Sequence, residues 1–466
     1  MTNKRKRPSE WWEKASTWSR DCGGVVHSAI SVSEDRELFL QEGVAKDTIL
    51  LEIPLSCLPS CDSIQSTDVG KKLGDCIASL SEELFNEEQD LLLALLLAHQ
   101  KEYGWEGRCD YRPYLGTLPS ASAFDFLPRR WSDENKRLLQ GSSLLQRVEK
   151  ASAGLSRDYQ LLSEKWSGTG FPSLETFDVM LAAVTSRAFA GMGASRNDQD
   201  ISMVPLVDLC NHRRGSVKKN LAYRRLESSV QATALEPLEA GTTLQITYGA
   251  KGNAQLLFNY GFAIANNVEP DGSSNDVVEV QLKDGCPLVQ LRTGPKSYTF
   301  GCFSKAIEQF HEVDEATAIE GDGPDDLEDF LNECEANPGV CGIVEVEEEE
   351  EEEEEDAEVV NVEAEITAIQ ELEKALVSVR SRYHLKGAAL KEAAQSKDQP
   401  LCYAGIVILS ELRTIQFYEL ACLRLIEKLT KSEELQFQWA IEVDDKQLQA
   451  QAIELADTFI RIRCIL

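Results

Sequence analysis

Residues 203–249 differ in pattern from the regions on either side, and this change constrains the fold more than any other feature. Short β-rich runs occur there, including Val230–Leu235 and Thr243–Thr247, with turn-forming residues between these two. Residues 57–185 and the chain beyond about residue 300 are predominantly helical in pattern. The sequence therefore predicts a β-rich part that lies between two helical regions.

Acidic residues strongly outnumber basic ones, and the net charge of the 466 residues is −32. The consecutive glutamates Glu347–Glu355 lie in an acidic block, about residues 313–362, that also contains glycine and proline. Like-charge repulsion and the scarcity of apolar residues predict that the centre of this block stays unfolded. A chain of this charge repels nucleic-acid phosphates, so we expect no direct nucleic-acid partner. It attracts basic proteins, mainly by speeding their association.

The sequence gives no sign of membrane insertion or secretion. The longest apolar run, Leu91–Ala98, is far shorter than the roughly twenty residues that cross a bilayer. Residues 1–20 lack an apolar signal core and are predicted to be a basic, flexible N-terminus, in which Lys4–Pro8 fits a nuclear import signal or a solvated tail. The thirteen cysteines form no paired CxxC motifs, so we expect reduced thiols, no metal and a cytoplasmic or nuclear location.

Three segments carry residues that are suited to chemistry. The first is Thr185–Phe189 (TSRAF), and the second is Val204–His212 (VPLVDLCNH). The third runs from Ile246–Gly249 (ITYG) to Asn253–Phe262 (NAQLLFNYGF). Each is a weak signal by itself, because a histidine in a turn is more often a local hydrogen-bonding group than a catalyst.

In this order and spacing, the three segments resemble a SET domain of the group that includes the Rubisco large-subunit lysine methyltransferase. The pattern of that group is SRAF, then PxxDxxNH, then NAxxxxxYGF, and the match covers about residues 22–265. The resemblance implies an α+β chain with a SET-type threaded β fold over residues 21–265, interrupted by a helical insertion at about 57–200. An all-α substrate-binding domain over residues 266–466, which holds the acidic insertion, is implied to follow.

The resemblance also implies an activity, the S-adenosylmethionine-dependent methylation of lysine side chains on a protein substrate. In-line methyl transfer needs the donor carbon and the acceptor nitrogen about 3 Å apart, and the amine must be deprotonated. A narrow, partly dehydrated channel favours the neutral amine. A tyrosine suits the channel wall, because its ring packs against the aliphatic stem and its hydroxyl orients the nitrogen.

The resemblance assigns roles to individual residues, with Tyr260 as the catalytic tyrosine. Residues implied to bind the cofactor are Glu34, Arg36, Arg187, Asn211 and His212. Residues implied to contact the substrate are Arg187, Asp208, Tyr223 and Tyr260. Structural roles stay open for three of them: a turn cap for Asp208, an ion-pair partner for Arg187 and a strand-face aromatic for Tyr223.

One segment departs from the family pattern. The family's Glu-Gly-x-Gly cofactor loop falls on Glu34-Asp35-Arg36-Glu37, where both glycines are missing. Glycine allows close backbone approach or a positive φ, which aspartate tolerates better than glutamate does. We therefore expect Glu34 and Arg36 to reach the cofactor through main-chain groups, with reduced affinity or with a different loop path.

Two other functions stay open at this stage. The lost glycines favour a catalytically inactive SET-like scaffold that binds a partner protein, and a protein-histidine methyltransferase is the second alternative. Phe189 favours lysine, because the actin-histidine-methylating branch places a polar residue there and an apolar wall suits an aliphatic stem. The expected partner is a protein substrate, with basic histones and ribosomal proteins as candidates, and the chain is expected to be a monomer.

Overall fold

The computed structural model describes residues 10–61, 63, 67–104, 109–193, 200–214, 219–268, 274–293, 296–310, 362–431 and 446–462. The chain divides into two compact units. Unit 1 comprises Met1–Lys136, Leu144–Tyr248 and Gln255–Ala263, and unit 2 comprises Arg137–Ser143, Gly249–Ala254 and Ile264–Leu466. The predicted import signal Lys4–Pro8 and the acidic block up to residue 361 lie outside the described residues.

The strands of unit 1 are short and are listed here in chain order. They are β1 (Val25–Val26), β2 (Ile30–Val32), β3 (Leu38–Leu40), β4 (Ile49–Pro54), β5 (Ala188–Ala190), β6 (Ile201–Met203), β7 (Asn211–His212), β8 (Leu221–Arg225), β9 (Ser229–Ala234) and β10 (Gln245–Ile246). The helices up to residue 260 are α1 (Glu10–Asp21), α2 (Asp68–Ala78), α3 (Glu88–Tyr103), α4 (Arg112–Leu115), α5 (Asp133–Arg137), α6 (Ser143–Lys165), α7 (Leu174–Arg187) and α8 (Asn253–Tyr260).

The β part of unit 1 consists of several small sheets. Strands β1, β4, β9 and β8 form an antiparallel sheet in that order. Hairpins join β2 to β3 and β5 to β6, and β7 pairs with β10 in parallel. The run Leu50–Ile53 of β4 buries three apolar side chains completely, as expected for a strand with few polar residues. These sheets share one apolar core with residues of α1.

Helices α2 to α7 lie between β4 and β5 in the chain, where the helical insertion is predicted. The run Leu91–Ala98 of α3 is buried on all sides, because an apolar helix without a polar face has to lie inside a core. Helix α3 packs against α7. Ser173 caps the start of α7 by accepting a hydrogen bond from the Thr176 N–H, and α7 ends at Arg187.

The N-terminal segment differs from the prediction. A flexible start through residue 20 was expected, and that expectation is wrong for residues 10–20, which form most of α1. Trp12 and Ala15 are buried in the core that the small sheets share, while Trp11 and Trp18 pack at its edge. These apolar residues recur at helical spacing, so burying them stabilises the helix against the entropy of ordering it.

Unit 2 is mainly helical, as predicted for this part of the chain, with one addition. Its helices are α9 (Lys296–Glu308), α10 (Val362–Ser381), α11 (Gly387–Ala394), α12 (Gln399–Thr430) and α13 (Lys446–Ile462). A hairpin of β11 (Val277–Val280) and β12 (Val289–Arg292) accompanies them, so the unit is not purely α. Apolar residues of the hairpin and of the helices form one core.

Two general properties hold for the described part of the chain. Its helices include none that is long and apolar enough to cross a membrane. Its ten cysteines form no disulfide, and four of them are buried: Cys57, Cys76, Cys210 and Cys422.

Glu411 on α12 is a buried carboxyl group of unit 2. It is 2% exposed, and the Ser142 hydroxyl donates a hydrogen bond of 2.6 Å to its Oε1. Burial raises the pKa of Glu411 from its ordinary 4.5 to about 7, although hydrogen bonds from Ser142 and Tyr383 act to lower it. The folded unit therefore holds a proton, between these two pH values, that the unfolded chain releases.

We expect unit 2 to lose stability as the pH rises from about 4.5 to about 7, since the folded state binds more protons than the unfolded state in this window. The full contribution of Glu411 is about 3 kcal/mol. Glu411→Gln keeps the shape of the side chain and cannot ionise, so it should flatten this loss. Hydrogen exchange of α12 amides, corrected for intrinsic exchange, measures the effect.

The exposed Glu392 on α11 supplies the control, because Glu392→Gln should keep the wild-type pH dependence. Burial also raises the pKa of Asp276, so a weaker slope of the same sign should persist in Glu411→Gln. An unchanged slope in that variant would show that the Glu411 carboxyl does not control the stability of unit 2.

Candidate active site

The segments predicted to form the site meet at the parallel pair of β7 and β10. Asn211 pairs with Gln245, and His212 pairs with Ile246. The Tyr248 N–H donates a hydrogen bond of 3.0 Å to His212 Nδ1, which leaves Nε2 as the nitrogen that carries the proton in a neutral ring. The pairing therefore brings the Asn-His motif to the start of the segment that leads into Tyr260.

Four rings lie around this pair, and we call His212, Tyr248, Tyr260 and Phe262 the aromatic wall. The Tyr248 and Tyr260 rings are stacked, with centroids 4.8 Å apart, and the His212 ring lies 5.0 Å from that of Tyr248. Phe262 lies about equally far from His212 and Tyr260, at 6.0 and 6.2 Å. All four side chains are half-buried, so each residue of the wall keeps some solvent-accessible surface.

Gly261 is the residue that allows two members of the wall to flank a turn. Its φ is +74°, a conformation that side chains with a Cβ rarely adopt. A Cβ at this position would also lie 1.8 Å from Cδ2 of Phe126, which is inside van der Waals contact. The glycine of the YGF motif is therefore required here for the backbone turn and for the close approach of Phe126.

The hydroxyl of Tyr248 has a structural partner. It donates a hydrogen bond of 2.8 Å to the carbonyl of Cys210, which fixes the ring over the β7 turn. Burial raises the pKa of Tyr248 well above its ordinary value, so this hydroxyl stays protonated. These contacts give Tyr248 a structural role.

The side chain of Asp208 is fully buried. Asp208 connects two other elements to the segment that leads into β7. The Tyr114 hydroxyl on α4 donates a hydrogen bond of 2.9 Å to Asp208 Oδ2. Nη1 of Arg187, at the end of α7, donates one of 2.7 Å to the Asp208 carbonyl and lies 3.9 Å from Oδ2. The SRAF and PxxDxxNH motifs are therefore in direct contact.

The carboxyl of Asp208 retains chemical capacity beyond these contacts. Burial raises its pKa to about 6, against the lowering effect of the Arg187 charge and the Tyr114 hydroxyl. Among the described residues, Asp208 Oδ1 and Arg187 Nε are buried atoms without a hydrogen-bond partner. One acceptor and one donor thus remain for a ligand or for water at this point.

The glycine-free loop lies at the turn of the β2–β3 hairpin, where the Ser33 hydroxyl accepts a hydrogen bond from the Glu37 N–H. Arg36, at the x position of the Glu-Gly-x-Gly pattern, has a φ of +66°, a left-handed conformation. Its guanidinium donates to the carbonyls of Thr117 and Leu118 and lies 4.5 Å from the centre of the Trp11 ring. These side-chain contacts hold the left-handed turn at Arg36.

Glu37 stands where the family pattern has its second glycine, and its side chain turns toward the site. Asn211 Nδ2 donates a hydrogen bond of 2.7 Å to Glu37 Oε1. Burial and the nearby charge of Arg187 lower the pKa of Arg36, with Asp208 opposing them, so the loop also lies within electrostatic range of the Asp208 turn. The hairpin loop thus contacts the Asn-His segment through Glu37.

The predicted residues fall into three places. Arg36, Arg187, Asp208, Asn211, His212 and Tyr260 lie in the connected group described above. Tyr223 on β8 packs edge-to-face on Phe189 of β5, with ring centroids 5.3 Å apart, in a separate aromatic pair. Glu34 is exposed on the hairpin loop.

Sequence reasoning missed two side chains of this group. Tyr114 and Glu37 were assigned no role, although they contact Asp208 and Asn211 directly. Glu37 had one usable signal, because an acidic side chain had replaced a family glycine beside a proposed cationic ligand. Tyr114 had none, since its partner lies 94 residues away in the chain.

Comparisons with curated proteins point to protein methyltransferases, although no protein-family model matches the chain. The chloroplastic [fructose-bisphosphate aldolase]-lysine N-methyltransferase of Arabidopsis thaliana is 25% identical over 270 residues, which are 53% of this chain and 51% of that protein. Human N-lysine methyltransferase SETD6 is 28% identical over 185 residues, 37% of each chain. Mouse actin-histidine N-methyltransferase is 25% identical over 181 residues, 37% of this chain and 29% of that protein. The chain thus matches about half the length of these relatives or less.

Solved structures match over most of the chain. The SET domain of LSMT bound to methyllysine and AdoHcy superposes with a TM-score of 0.65 at 17% identity, covering 92% of this chain and 95% of that one. Rubisco LSMT bound to AdoMet gives a TM-score of 0.59 at 16% identity, with 92% and 95% covered. The predicted α+β SET-type fold with a helical C-terminal part is therefore confirmed. The chain has the SET-domain fold of the Rubisco LSMT structures, and its curated sequence relatives are protein methyltransferases, which confirms the resemblance drawn from the three motifs.

Proposed function

We propose that this chain transfers a methyl group from S-adenosylmethionine to a lysine side chain of a protein substrate. The observation that carries the proposal is the contact group formed by three distant motifs. Arg187 donates a hydrogen bond to the Asp208 carbonyl, and the chain continues from there into Asn211 and His212. The His212 ring lies beside the Tyr248 ring, which stacks on Tyr260. This contact group combines polar side chains with half-buried aromatic rings. Such a site suits the binding of two reactants side by side.

The polar groups of the site fit S-adenosylmethionine, to which solved neighbours of the same fold are bound. Asn211, His212 and the hairpin loop would hold it, since their amide, ring nitrogen and main-chain groups suit its amino acid portion. Arg187 Nε and Asp208 Oδ1 supply one further buried donor and one acceptor. The Glu37 carboxylate, held beside Asn211, complements a ligand with a net positive charge.

When bound, the cofactor supplies an electrophilic methyl on a sulfonium, whose positive charge also favours the neutral form of a nearby amine. The residues of the chain position the acceptor. The stacked rings of Tyr248 and Tyr260 form an apolar wall for an aliphatic stem and keep water away from the amine. Tyr260 is the group whose hydroxyl we assign to orienting the nitrogen, since the Tyr248 hydroxyl is bonded to Cys210.

We propose lysine rather than histidine as the acceptor, because aromatic rings lie where the sequence predicts substrate contacts. Phe189, the residue that favours lysine in the sequence, packs edge-to-face on Tyr223, and burial raises the pKa of that tyrosine. Two half-buried rings offer more to an aliphatic stem than to an imidazole, which needs polar partners. Basic proteins are the proposed substrates, because a chain of net charge −32 attracts them, and the proposed locations are cytoplasm and nucleus.

Two measurements test the proposal. Isothermal titration should show one equivalent of S-adenosylmethionine bound to the folded protein. Incubation with labelled cofactor and a lysate fraction rich in basic proteins, followed by mass spectrometry, should place the label on lysine. A labelled histidine would overturn the choice of acceptor. A folded protein that binds no cofactor would instead support a protein-binding scaffold.

Tyr260→Phe should lower turnover by about 100-fold while the Kd for S-adenosylmethionine stays within about twofold, because only the group that orients the acceptor is lost. Tyr159→Phe is the matched control, since it removes a hydroxyl bonded to Pro172 in the helical insertion. Steady-state rates and titration of the same preparations give both quantities. Equal losses of turnover and binding in Tyr260→Phe would make the residue structural.

Glu37→Gln should weaken S-adenosylmethionine binding by about three- to tenfold, roughly 1 kcal/mol, because it removes a charge and keeps the shape. S-adenosylhomocysteine has no sulfonium charge, so its affinity should change by less than about twofold. Titrating both ligands isolates the electrostatic part, and Glu42→Gln at an exposed position of the same unit is the control. Equal weakening for both ligands would mean that Glu37 acts through shape alone.

A further inference from the structure

Three cysteine side chains from separate segments of unit 1 converge beside α1. Cys22 follows the end of α1, and Cys57 ends the 3-10 turn that directly follows β4. Cys109 lies three residues before α4. Their sulfur atoms all lie within 4.8 Å of one another. Cys57 is buried, and the other two are half-buried. The proposed methyl transfer uses none of them.

The backbone holds these three segments in place. Cys22 N–H donates to the carbonyl of Trp18, which ties the first cysteine to α1. The buried hydroxyl of Tyr111, two residues after Cys109, donates a hydrogen bond of 3.2 Å to the carbonyl of Leu58, which follows Cys57. The segments of the second and third cysteines are thus joined by a bond that does not involve sulfur. The convergence therefore belongs to the folded unit.

The spacing suits a metal ion with thiolate ligands. A zinc–sulfur bond is about 2.3 Å long, so sulfurs around one tetrahedral ion lie about 3.8 Å apart. The separations here do not exceed 4.8 Å, so small side-chain rotations would bring the three sulfurs onto one ion. Thiolates are soft ligands, which select Zn²⁺ and Cu⁺ over Mg²⁺ or Ca²⁺.

We propose that Cys22, Cys57 and Cys109 form a three-thiolate site for a thiophilic d10 metal ion. On binding, each S–H bond breaks and releases its proton to solvent while a sulfur–metal bond forms, with no change of oxidation state. Three sulfurs complete the coordination of Cu⁺. Zn²⁺ takes a water as its fourth ligand, which can reach the ion because Cys22 and Cys109 are only half-buried.

The site has a structural consequence because of what its three segments carry. Helix α1 brings Trp11 against the Arg36 guanidinium, and α4 brings the Tyr114 hydroxyl to Asp208. A metal ion bound by all three cysteines would link α1 to the segment before α4. These two segments carry the residues that contact Arg36 and Asp208.

The test is metal titration of the full chain, reduced and stripped with a chelator. Zn²⁺ is titrated against a chromophoric competitor, and Cu⁺ is titrated anaerobically against a Cu⁺ chelator. The double variant Cys22→Ser/Cys109→Ser removes two half-exposed ligands and leaves the buried Cys57 in the core. Cys286→Ser/Cys402→Ser, at half-buried positions of unit 2, is the matched control.

We expect the wild type and the control to bind one equivalent of at least one of the two ions and to gain thermal stability from it. The double variant should lose at least about 100-fold in affinity and show no gain in Tm. Tighter binding of Zn²⁺ or of Cu⁺ identifies the ion, and either result supports the site. Failure of both ions to bind stoichiometrically overturns it, as does unchanged binding by the double variant. A disulfide that forms in air, in a protein that binds neither ion, also overturns it and makes the cluster a redox pair.

Discussion

The buried carboxyl of Asp208 is the interaction on which the geometry of the candidate site depends. A buried carboxyl group is costly unless donors or an opposite charge lie beside it, because its desolvation costs several kcal/mol. Here the Tyr114 hydroxyl donates to Oδ2 and the Arg187 guanidinium lies near the same oxygen. Because these partners come from α4 and from the end of α7, their contacts with Asp208 fix both helical segments against the turn that leads into Asn211. The aromatic wall is then positioned through the pairing of β7 with β10.

The hairpin loop contains a left-handed residue that is not glycine. A left-handed residue with a Cβ costs roughly 1–2 kcal/mol, and Arg36 adopts this conformation. Its guanidinium offsets the cost through two carbonyl acceptors and the face of Trp11. Arg36 stands at the x position of the Glu-Gly-x-Gly pattern, and the two positions that lack glycine, Asp35 and Glu37, have no positive φ. Reduced cofactor affinity and a different loop path therefore stay predictions. The loop also contacts α1 through Trp11.

The fold could be predicted from the sequence through its resemblance to a known family, because the residues of the linear motifs recur in fixed order and spacing. It failed where a contact joins distant positions. The bond between Asn211 and Glu37 spans 174 residues, and no local pattern marks either residue as the partner of the other. The cysteine cluster is a similar case, since its members show no metal-binding spacing and meet only after folding. In α1, the tryptophans recur at helical spacing in the sequence. The basic residues before them, however, favour the prediction of a flexible tail.

Charge placement relates the site to the rest of the chain. The guanidinium of Arg187 lies near the Asp208 carboxyl, which offsets its positive charge, and that of Arg36 donates to main-chain carbonyls. Glu37 differs, because its carboxylate is matched by the neutral amide of Asn211 and keeps its negative charge. In the proposed reaction, the lysine substrate before deprotonation and the sulfonium cofactor are both cationic, and two cations in one site repel each other. A net negative charge close to Asn211 reduces that repulsion, which gives the replacement of glycine by glutamate a physical rationale that a neutral side chain of the same size would lack.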